Sequence, residues 1–452
     1  MVPDGVTRPL LDSREVEREH TSEPWLFLLL QRDRPLEPSA RYRLDRDCTL
    51  ARGNRGVTVT KDQRTISIDD PWMSTVHARI VREGKRWALE DAGSRNGTSC
   101  NGASAPRVVL DDGDVIEVGR TFLLFRTAVE TPHDQHELVD EATLGSVLRT
   151  ISPTFAGQLA RLSRLAPSAI SIVIIGESGT GKEVLARTLH ELSGRPGPFV
   201  AVNCAALPDS LVQSELFGHK KGAFSGALED RPGLVRSADR GTLLLDEVGD
   251  LNAVGQGALL RVLQEHEVLP IGDHRAVAVD VRVLCATNRE LDTAAFRDDL
   301  LARLSGFVFR VPALRDRRED LGILIRALIR AHAAQPEAIK LGQEATRLLL
   351  AYRWPLNVRE LEQCIAAAIA QSADGSIQVS HLPAQLRAVP PPAALIKPTP
   401  RGSDAERRER LVRLMTETRG NISEVARTMG TARAQIHRWL RKYELDPEGF
   451  RR

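Results

Sequence analysis

A glycine-rich stretch, Gly176-Glu-Ser-Gly-Thr-Gly-Lys-Glu183, follows an apolar run and precedes a stretch with helical periodicity. Glycines let the backbone wrap closely enough around phosphate groups for its N–H groups to bind them, and a helix start adds positive potential. Lys182 is placed to reach the outer phosphates. The general pattern has Ser or Thr at the position of Glu183, so a purely structural glycine turn stays open as an alternative. The candidate nucleotide-binding residues are Gly176, Glu177, Ser178, Gly179, Thr180, Gly181, Lys182 and Glu183.

Two adjacent carboxylates, Asp246 and Glu247, end the apolar run Gly241–Leu245, about 60 residues after the glycine loop. Phosphoryl transfer needs neutralised phosphate charge and an oriented nucleophile. Asp246 can hold Mg²⁺ through water, and Glu247 can polarise an attacking water. The alternative is a buried strand with a solvated acidic end. The glycine loop upstream favours an ATP site with Mg²⁺ as cofactor.

These groups need a scaffold, which the hydrophobic pattern predicts. Apolar runs at residues 170–175, 242–245 and 279–285 alternate with helical stretches, and a helical region follows Asp320. This predicts an α/β domain with a largely parallel sheet and a helical subdomain. Residues 25–127 instead alternate short apolar runs with turn residues, which predicts an all-β sandwich.

The 452 residues are too many for one ordinary core, and three folded domains are expected. Residues 383–403 hold six prolines and predict a linker, and the chain from Arg401 carries 13 Lys and Arg against 8 Asp and Glu, a net charge of +5. We predict a polar leader at 1–24, the β-sandwich at 25–130, the α/β ATPase domain at 144–375, the linker at 376–403 and an all-α DNA-binding domain at 404–452.

Several classes of protein are excluded by simple patterns. The apolar run Trp25–Leu30 is far shorter than the roughly 20 residues of a membrane helix, so it predicts a strand. No secretory leader is evident. The five cysteines are scattered without a CxxC pair, which fits neither a disulfide framework nor a zinc site. We therefore expect a cytoplasmic protein with no membrane partner.

Residues 144–375 resemble the sigma-54 interaction domain, a branch of the AAA+ ATPases. The motifs GESGTGKE, ELFGHKKGAFSGA, GTLLLDE, ATN, FRDDLLARL and WPLNVREL occur in family order, and the family carries Glu at the position of Glu183. The resemblance implies that Asn203 restrains Glu247, that Asn288 and Arg359 sense the nucleotide, and that Arg297 and Arg303 reach a neighbouring subunit's ATP. It therefore implies a homo-oligomeric, hexameric ring.

The motif Gly222-Ala-Phe-Ser-Gly-Ala227 resembles the loop that such activators push against sigma-54. Phe224 has little reason to lie in a glycine-flanked loop unless it meets a partner, although a packed turn is the alternative. Ser225 keeps the hydroxyl of the usual threonine and lacks its methyl. The predicted sigma-54 contacts are Gly222, Ala223, Phe224, Ser225, Gly226 and Ala227.

Residues 421–443 predict a helix, a turn at Gly430 and a second helix. Val425, Ala426, Met429, Ile436 and Leu440 share one buried face. The stretch resembles the Fis-type helix-turn-helix, and a solvated basic helix is the alternative. The predicted contacts to double-stranded DNA are Arg433, Gln435, His437, Arg438 and Arg441.

The N-terminal β-region carries Leu50-Ala-Arg-Gly53, Met73-Ser-Thr-Val-His-Ala78 and Gly93-Ser-Arg-Asn-Gly-Thr98. These motifs resemble a forkhead-associated (FHA) domain, which binds phosphothreonine. A phosphate dianion calls for an arginine with hydroxyl or amide donors. The resemblance implies that Arg52, Ser74 and Thr75 face phosphate and that Asn96 contacts the peptide backbone. A purely structural sandwich remains the alternative.

Together these patterns predict a sigma-54-dependent transcriptional regulator. It would bind DNA upstream of a promoter, remodel sigma-54 RNA polymerase by ATP hydrolysis, and respond to a phosphothreonine protein or kinase. Two alternatives remain: a DNA-binding repressor or scaffold with a vestigial ATPase, and an AAA+ remodeller of another protein. Lys182, Asp246, Glu247 and Arg297 argue against the first, and the GAFSGA loop combined with a helix-turn-helix argues against the second.

Overall fold

The structure is a computed structural model of the chain. It describes residues 21–131, 142–144, 148–388 and 411–450, except 61–62, 290, 292–295, 417, 419, 430–432, 444 and 446–449. Among the described residues, no helix is long and apolar enough to cross a membrane. All five cysteines are described and buried, and no disulfide joins them.

Two sheets packed face to face form the predicted β-sandwich. The strands are β1 (Thr21–Gln31), β2 (Ala40–Arg43), β3 (Cys48–Arg52), β4 (Gly56–Val59), β5 (Arg64–Ile68), β6 (Ala78–Glu83), β7 (Arg86–Asp91), β8 (Thr98–Cys100), β9 (Ala103–Ser104), β10 (Arg107–Leu110), β11 (Val115–Val118) and β12 (Thr121–Thr131). One sheet has the order β2-β1-β12-β11-β8-β9, and the other has the order β10-β7-β6-β3-β5-β4. β1 begins at Thr21, inside the segment predicted as a leader.

The α/β domain has the predicted parallel sheet, in the order β16-β17-β20-β15-β21. Its elements are β13 (Ala142–Leu144), β14 (Leu148–Thr150), α1 (Pro153–Leu165), β15 (Ile172–Ile175), α2 (Lys182–Ser193), β16 (Phe199–Asn203), α3 (Val212–Phe217), α4 (Leu234–Ser237), β17 (Thr242–Asp246), α5 (Ala253–Glu265), β18 (Glu267–Val268), β19 (Val277–Ala278), β20 (Arg282–Thr287), α6 (Asp298–Leu304) and β21 (Phe307–Arg310). β20 is buried along its whole length, as expected for a strand covered on both faces.

A helical lid follows the sheet. It contains α7 (Leu321–His332), β22 (Lys340–Leu341), α8 (Gln343–Ala351), α9 (Asn357–Gln371), β23 (Ser376–Ile377) and α10 (Ala384–Arg387). Residues 376–388 were predicted to belong to the linker, but Ile377, Leu382 and Leu386 are buried in the lid core. The folded lid therefore extends further than the proline pattern indicates. Residues 389–403 of the predicted linker lie outside the described residues.

The C-terminal helices form a second compact unit. Residues 411–416 are helical, and α11 (Ile422–Thr428) and α12 (Arg433–Lys442) follow. Val425, Ala426, Ile436 and Leu440 are buried together with Leu411 and Met415, and Met429 packs against them. The face predicted from the helical spacing is therefore the core of this unit.

Candidate functional site

The glycine-rich loop joins β15 to α2 and lies at the carboxyl end of the parallel sheet. The Gly176 N–H donates to the carbonyl of Thr287, the last residue of β20, at 3.1 Å. Gly179 and Gly181 have φ angles of +76° and +97°, which glycine adopts without steric cost. A Cβ on Gly179 would lie 2.1 Å from the carbonyl oxygen of Leu356 in the lid. This position therefore needs glycine for both conformation and space.

Lys182 and the two carboxylates meet beside this loop. Lys182 is buried, and its Nζ donates to the carbonyls of Gly176 at 2.8 Å and Glu177 at 3.4 Å. Glu247 follows β17 in a left-handed conformation, and its N–H donates to Asp246 Oδ1 at 3.0 Å. Its Oε1 lies 3.9 Å from Lys182 Nζ. The fold thus brings one cation and two carboxylates to one point.

The two predicted asparagines lie at the carboxyl ends of the strands that flank β17: Asn203 is the last residue of β16, and Asn288 directly follows β20. The backbone N–H of Asn288 donates to Glu247 Oε2 at 3.2 Å, so the main chain holds this carboxylate. Asn203 pairs in register with Asp246, and its Oδ1 accepts from the Ala205 N–H at 3.0 Å. Both Asn203 and Glu247 are described, and no hydrogen bond joins them. The restraint of Glu247 by Asn203 stays a prediction.

The lid closes over the loop through the start of α9. The N–H groups of Val358 and Arg359 donate to the carbonyl of Gly179 at 2.9 and 3.3 Å. The guanidinium of Arg359 also donates to Ser178 Oγ at 3.2 Å. Arg359, predicted as a nucleotide sensor, therefore contacts the glycine loop directly.

An ion pair that no sequence motif predicts also joins the lid to the loop. Arg315 donates through Nη1 and Nη2 to the two oxygens of Glu177 at 2.8 and 2.5 Å, and Asn357 Nδ2 donates to the same carboxylate at 3.2 Å. The hydrogen bonds from Arg315 and then Asn357 lower the pKa of Glu177 from its usual 4.5 to about 2. Glu177 is thus a charged anchor for the lid. Arg315 belongs to none of the sequence motifs, so nothing in the sequence marked it as part of the site.

A cleft of about 390 Å³ lies between loop, carboxylates and lid. Its lining residues are Ser178, Gly179, Gly181, Lys182, Glu183, Val184, Asn203, Asp246, Glu247, Val358, Arg359 and Glu362. A cleft with backbone N–H groups and Lys182 on one wall and two carboxylates on the other suits a phosphate chain with a bound divalent cation.

Two predicted catalytic arginines lie away from this cleft. Arg297 immediately precedes α6. Its Nε and Nη2 donate to the Asp299 carboxylate at 3.1 and 2.7 Å, and these hydrogen bonds raise the pKa of Arg297. Arg303 lies in the last turn of α6 and is exposed. Neither side chain lines the cleft of its own chain. Both side chains are exposed to solvent.

The GAFSGA motif forms a compact turn. The N–H of Gly222 donates to the carbonyl of Ala227 at 2.8 Å, and Gly222 and Gly226 have φ angles of +82° and +109°. The Phe224 ring is 39% exposed and meets the ring of His219 edge-on at 4.9 Å. The loop therefore exposes part of the Phe224 ring to solvent, while the ring also packs against His219.

The predicted phosphopeptide residues converge at one end of the sandwich. The Arg52 N–H donates to the Ser74 carbonyl at 3.0 Å, and Thr75 is exposed beside Ser74. Asn96 Nδ2 donates to the carbonyl of Trp72 at 2.7 Å. Arg95 was not predicted, although its backbone N–H donates to Ser74 Oγ at 3.1 Å. The motif Ser-Arg-Asn contained this second arginine, and only the fold places it next to Ser74.

His77 supports this group of loops from inside. It is buried, its Nδ1 accepts from the Ser74 N–H at 3.1 Å, and its Nε2 lies 3.1 Å from the Gly97 carbonyl. The ring therefore ties the Ser74 turn to the Asn96 loop.

The predicted DNA contacts lie on α12. Arg441 is exposed in its last turn. The side chains of Arg433, Gln435, His437 and Arg438 lie outside the described part of the chain. Their contacts to DNA stay predictions.

Comparison with known proteins places these features in a family. Residues 148–310 match the sigma-54 interaction domain, residues 315–395 match an AAA+ ATPase lid domain and residues 55–119 match the FHA domain. The chain is 39% identical over 352 residues to the regulatory protein AtoC of Escherichia coli K12, covering 75% of this chain and 76% of AtoC. It is 45% identical over 252 residues to the sigma54-dependent transcriptional activator SfnR of Pseudomonas putida, covering 53% and 69%. A crystal structure of NtrX from Brucella abortus in complex with ADP is 31% identical, with a TM-score of 0.49, covering 66% of this chain and 70% of NtrX.

The fold and the site define an ATP-binding AAA+ ATPase with a sigma-54 interaction domain and an FHA domain. The chain belongs to the family of sigma-54-dependent transcriptional regulators.

Proposed function

We propose that this protein hydrolyses ATP in a ring of identical subunits and uses the energy to remodel sigma-54 RNA polymerase for open-complex formation. The observation that carries the proposal is the meeting of Lys182, Asp246 and Glu247 in one cleft. Lys182 and the loop N–H groups bind the phosphates, and Glu247 orients and polarises the attacking water.

Magnesium fits the same cleft. The ion prefers oxygen ligands, keeps several waters and commonly binds through one or two carboxylates together with substrate phosphates. Asp246 supplies a carboxylate at the cleft wall and would hold the ion through water, where it neutralises phosphate charge.

The arginines outside the cleft support ring formation. Arg297 and Arg303 lie on or immediately before α6 and do not line the cleft of their own chain, which is the placement expected of residues that complete a neighbouring subunit's site. An arginine supplied in trans stabilises the charge that develops during phosphoryl transfer. We propose a hexamer by resemblance to related proteins.

The remaining modules direct this activity. Phe224 and Ser225 on the exposed GAFSGA turn contact sigma-54, and α12 contacts DNA upstream of the promoter. The FHA end with Arg52, Ser74, Thr75 and Asn96 binds a phosphothreonine protein or kinase, which gates the output.

Abortive transcription from a sigma-54 promoter tests this proposal, with ATP and with a non-hydrolysable analogue. We expect product only with ATP and the parental chain. Deleting Phe224 should abolish transcript while ATP turnover stays within about two-fold, because the turn lies outside the ATP cleft. Normal transcription by the deletion variant would refute the sigma-54 contact.

A further inference from the structure

The strand β1 is buried on both faces, which is unusual in an antiparallel sandwich. Residues 25–30 are consecutively buried, whereas a sheet with one solvated face alternates buried and exposed side chains. Trp25, Phe27 and Leu29 belong to the same apolar cluster as Ile323, Ile325 and Leu349 of the lid. The lid helices thus cover the outer face of β1 and β12.

Buried polar contacts fix this interface. Arg126 on β12 donates to Glu319 at 3.0 Å, and Glu319 is 5% exposed. Arg347 on α8 donates through Nε and Nη2 to Glu117 on β11 at 3.0 and 2.6 Å. Arg318 donates to the carbonyl of Gly113 at 3.0 Å. Removing one partner of a buried pair is strongly destabilising, because it leaves an uncompensated charge.

Two of these contacts come from the segment Leu314–Asp320, and two other residues of this segment contact the glycine loop. Arg315 is paired with Glu177, and Arg317 Nη2 lies 3.4 Å from the carbonyl of Thr180. Arg318 and Glu319, next in sequence, bind the FHA sandwich. Asp320 is buried and accepts hydrogen bonds from the Thr150 hydroxyl and the Ile151 N–H. Neighbouring residues of one short segment therefore hold the glycine loop and the FHA domain.

We propose that Arg315 is a positioning residue of the ATP site and that the FHA sandwich sets its position through Leu314–Asp320. Arg315 touches no reacting atom; it holds Glu177 and so fixes the loop that carries the phosphate-binding N–H groups. The docked FHA domain holds the segment from the other side. A ligand that shifts the sandwich changes the affinity for ATP, and ATP changes the affinity for that ligand by the same factor. This inference rests on the proposed ATP site.

The test measures MgATP affinity and steady-state ATP hydrolysis of the full chain. Arg315→Gln should raise the Kd and KM for ATP about ten-fold with a smaller change in kcat, and Arg315→Lys should recover part of the loss. Glu319→Arg should raise the Kd in the same direction, and adding Arg126→Glu should restore it to within about two-fold. Arg318→Gln, which introduces no new charge, removes the Gly113 contact and should act in the same direction.

The matched control is the exposed ion pair of Arg107, on the edge strand β10, with Glu83; the ion pairs of Arg107 are with residues of the sandwich and not of the lid. Arg107→Glu should leave ATP affinity unchanged. Parental ATP affinity in Arg315→Gln, or in both Glu319→Arg and Arg318→Gln, would overturn the inference. Lys182→Ala separates the two proposals. If Lys182→Ala does not weaken ATP binding, the proposed ATP site itself is wrong. If Lys182→Ala weakens ATP binding but the Arg315 and Glu319 variants bind ATP like the parent, only the coupling between the FHA sandwich and the ATP site is rejected.

Discussion

Glu247 occupies a left-handed backbone position in which its carboxylate accepts from the Asn288 N–H and faces Lys182. Glu247→Gln keeps the shape of the side chain but cannot polarise water as a carboxylate does. ATP affinity should stay within about two-fold while turnover falls roughly 10²- to 10⁴-fold. Fluorescent-nucleotide binding and phosphate release measure the two quantities. Parental turnover in this variant would show that another group is the base.

The sequence predicted these residues because their chemistry follows from local motifs. The glycine loop that carries Lys182 follows β15, the Asp246–Glu247 pair lies at the end of β17, and parallel strands bring their carboxyl ends to one edge of the sheet. Arg315 was not predicted because its meaning depends on Glu177, which lies 138 positions earlier in the chain. Arg95 was missed for a similar reason. A pairing across the fold leaves no periodicity or spacing in the sequence.

At the scale of elements, the hydrophobic pattern predicted strands and helices better than it predicted which other elements pack on them. The run Trp25–Leu30 was predicted as a strand, and β1 contains it. Its lack of alternation was the available clue that both faces are covered. The covering helix α7 lies almost 300 residues later, and nothing local identifies it. The lid also extends beyond the boundary predicted at residue 375, because Ile377 and Leu386 are buried in the same core as α7, α8 and α9.

Gly322 in α7 allows a clean test of this packing. A Cβ there would lie 1.9 Å from the carbonyl oxygen of Leu29 on β1. Alanine normally stabilises a helix interior by about 1 kcal/mol relative to glycine. Gly322→Ala should nevertheless lower the free energy of unfolding by roughly 1 to 3 kcal/mol, because the clash forces the sandwich away from the lid. Denaturant unfolding of the full chain measures the difference.

Gly257 in α5 is the matched control for this substitution. A Cβ there would meet its nearest atom, Arg297 Nη1, only at 3.8 Å, which is ordinary contact. Gly257→Ala should be neutral or stabilising by up to about 1 kcal/mol. Equal stabilisation by both alanines would show that the sandwich does not rest on α7.

At the scale of the whole molecule, each ATP site should combine groups from two subunits. A Glu247→Gln subunit keeps Arg297, and an Arg297→Ala subunit keeps Glu247, so mixing the two inactive variants creates some complete sites. Random mixing in equal amounts should restore about one quarter of the sites. A complete site needs an Arg297→Ala subunit to supply Glu247 and a Glu247→Gln neighbour to supply Arg297, and each condition is met about half of the time. Mixing Glu247→Gln with Lys182→Ala should restore nothing, because both groups belong to one subunit's cleft. Hydrolysis by Arg297→Ala alone at the parental rate would reject sites shared between subunits.

Promoter output should also depend on a phosphothreonine partner, since the FHA end lies on a sandwich that is docked to the ATPase lid. Arg52→Ala removes a charge-assisted hydrogen bond worth roughly 1.5 to 3 kcal/mol and should weaken phosphopeptide binding about ten- to a hundred-fold. Basal ATPase activity and DNA binding should remain, because Arg52 is exposed and contacts neither the lid nor the cleft among the described residues. Arg107→Ala on the sandwich edge is the control for a general loss of positive charge. Calorimetry of the full chain with phosphothreonine peptides and their unphosphorylated forms tests whether the domain recognises phosphate. Equal affinity for the two forms would show that the FHA domain is a docking module that does not recognise phosphate.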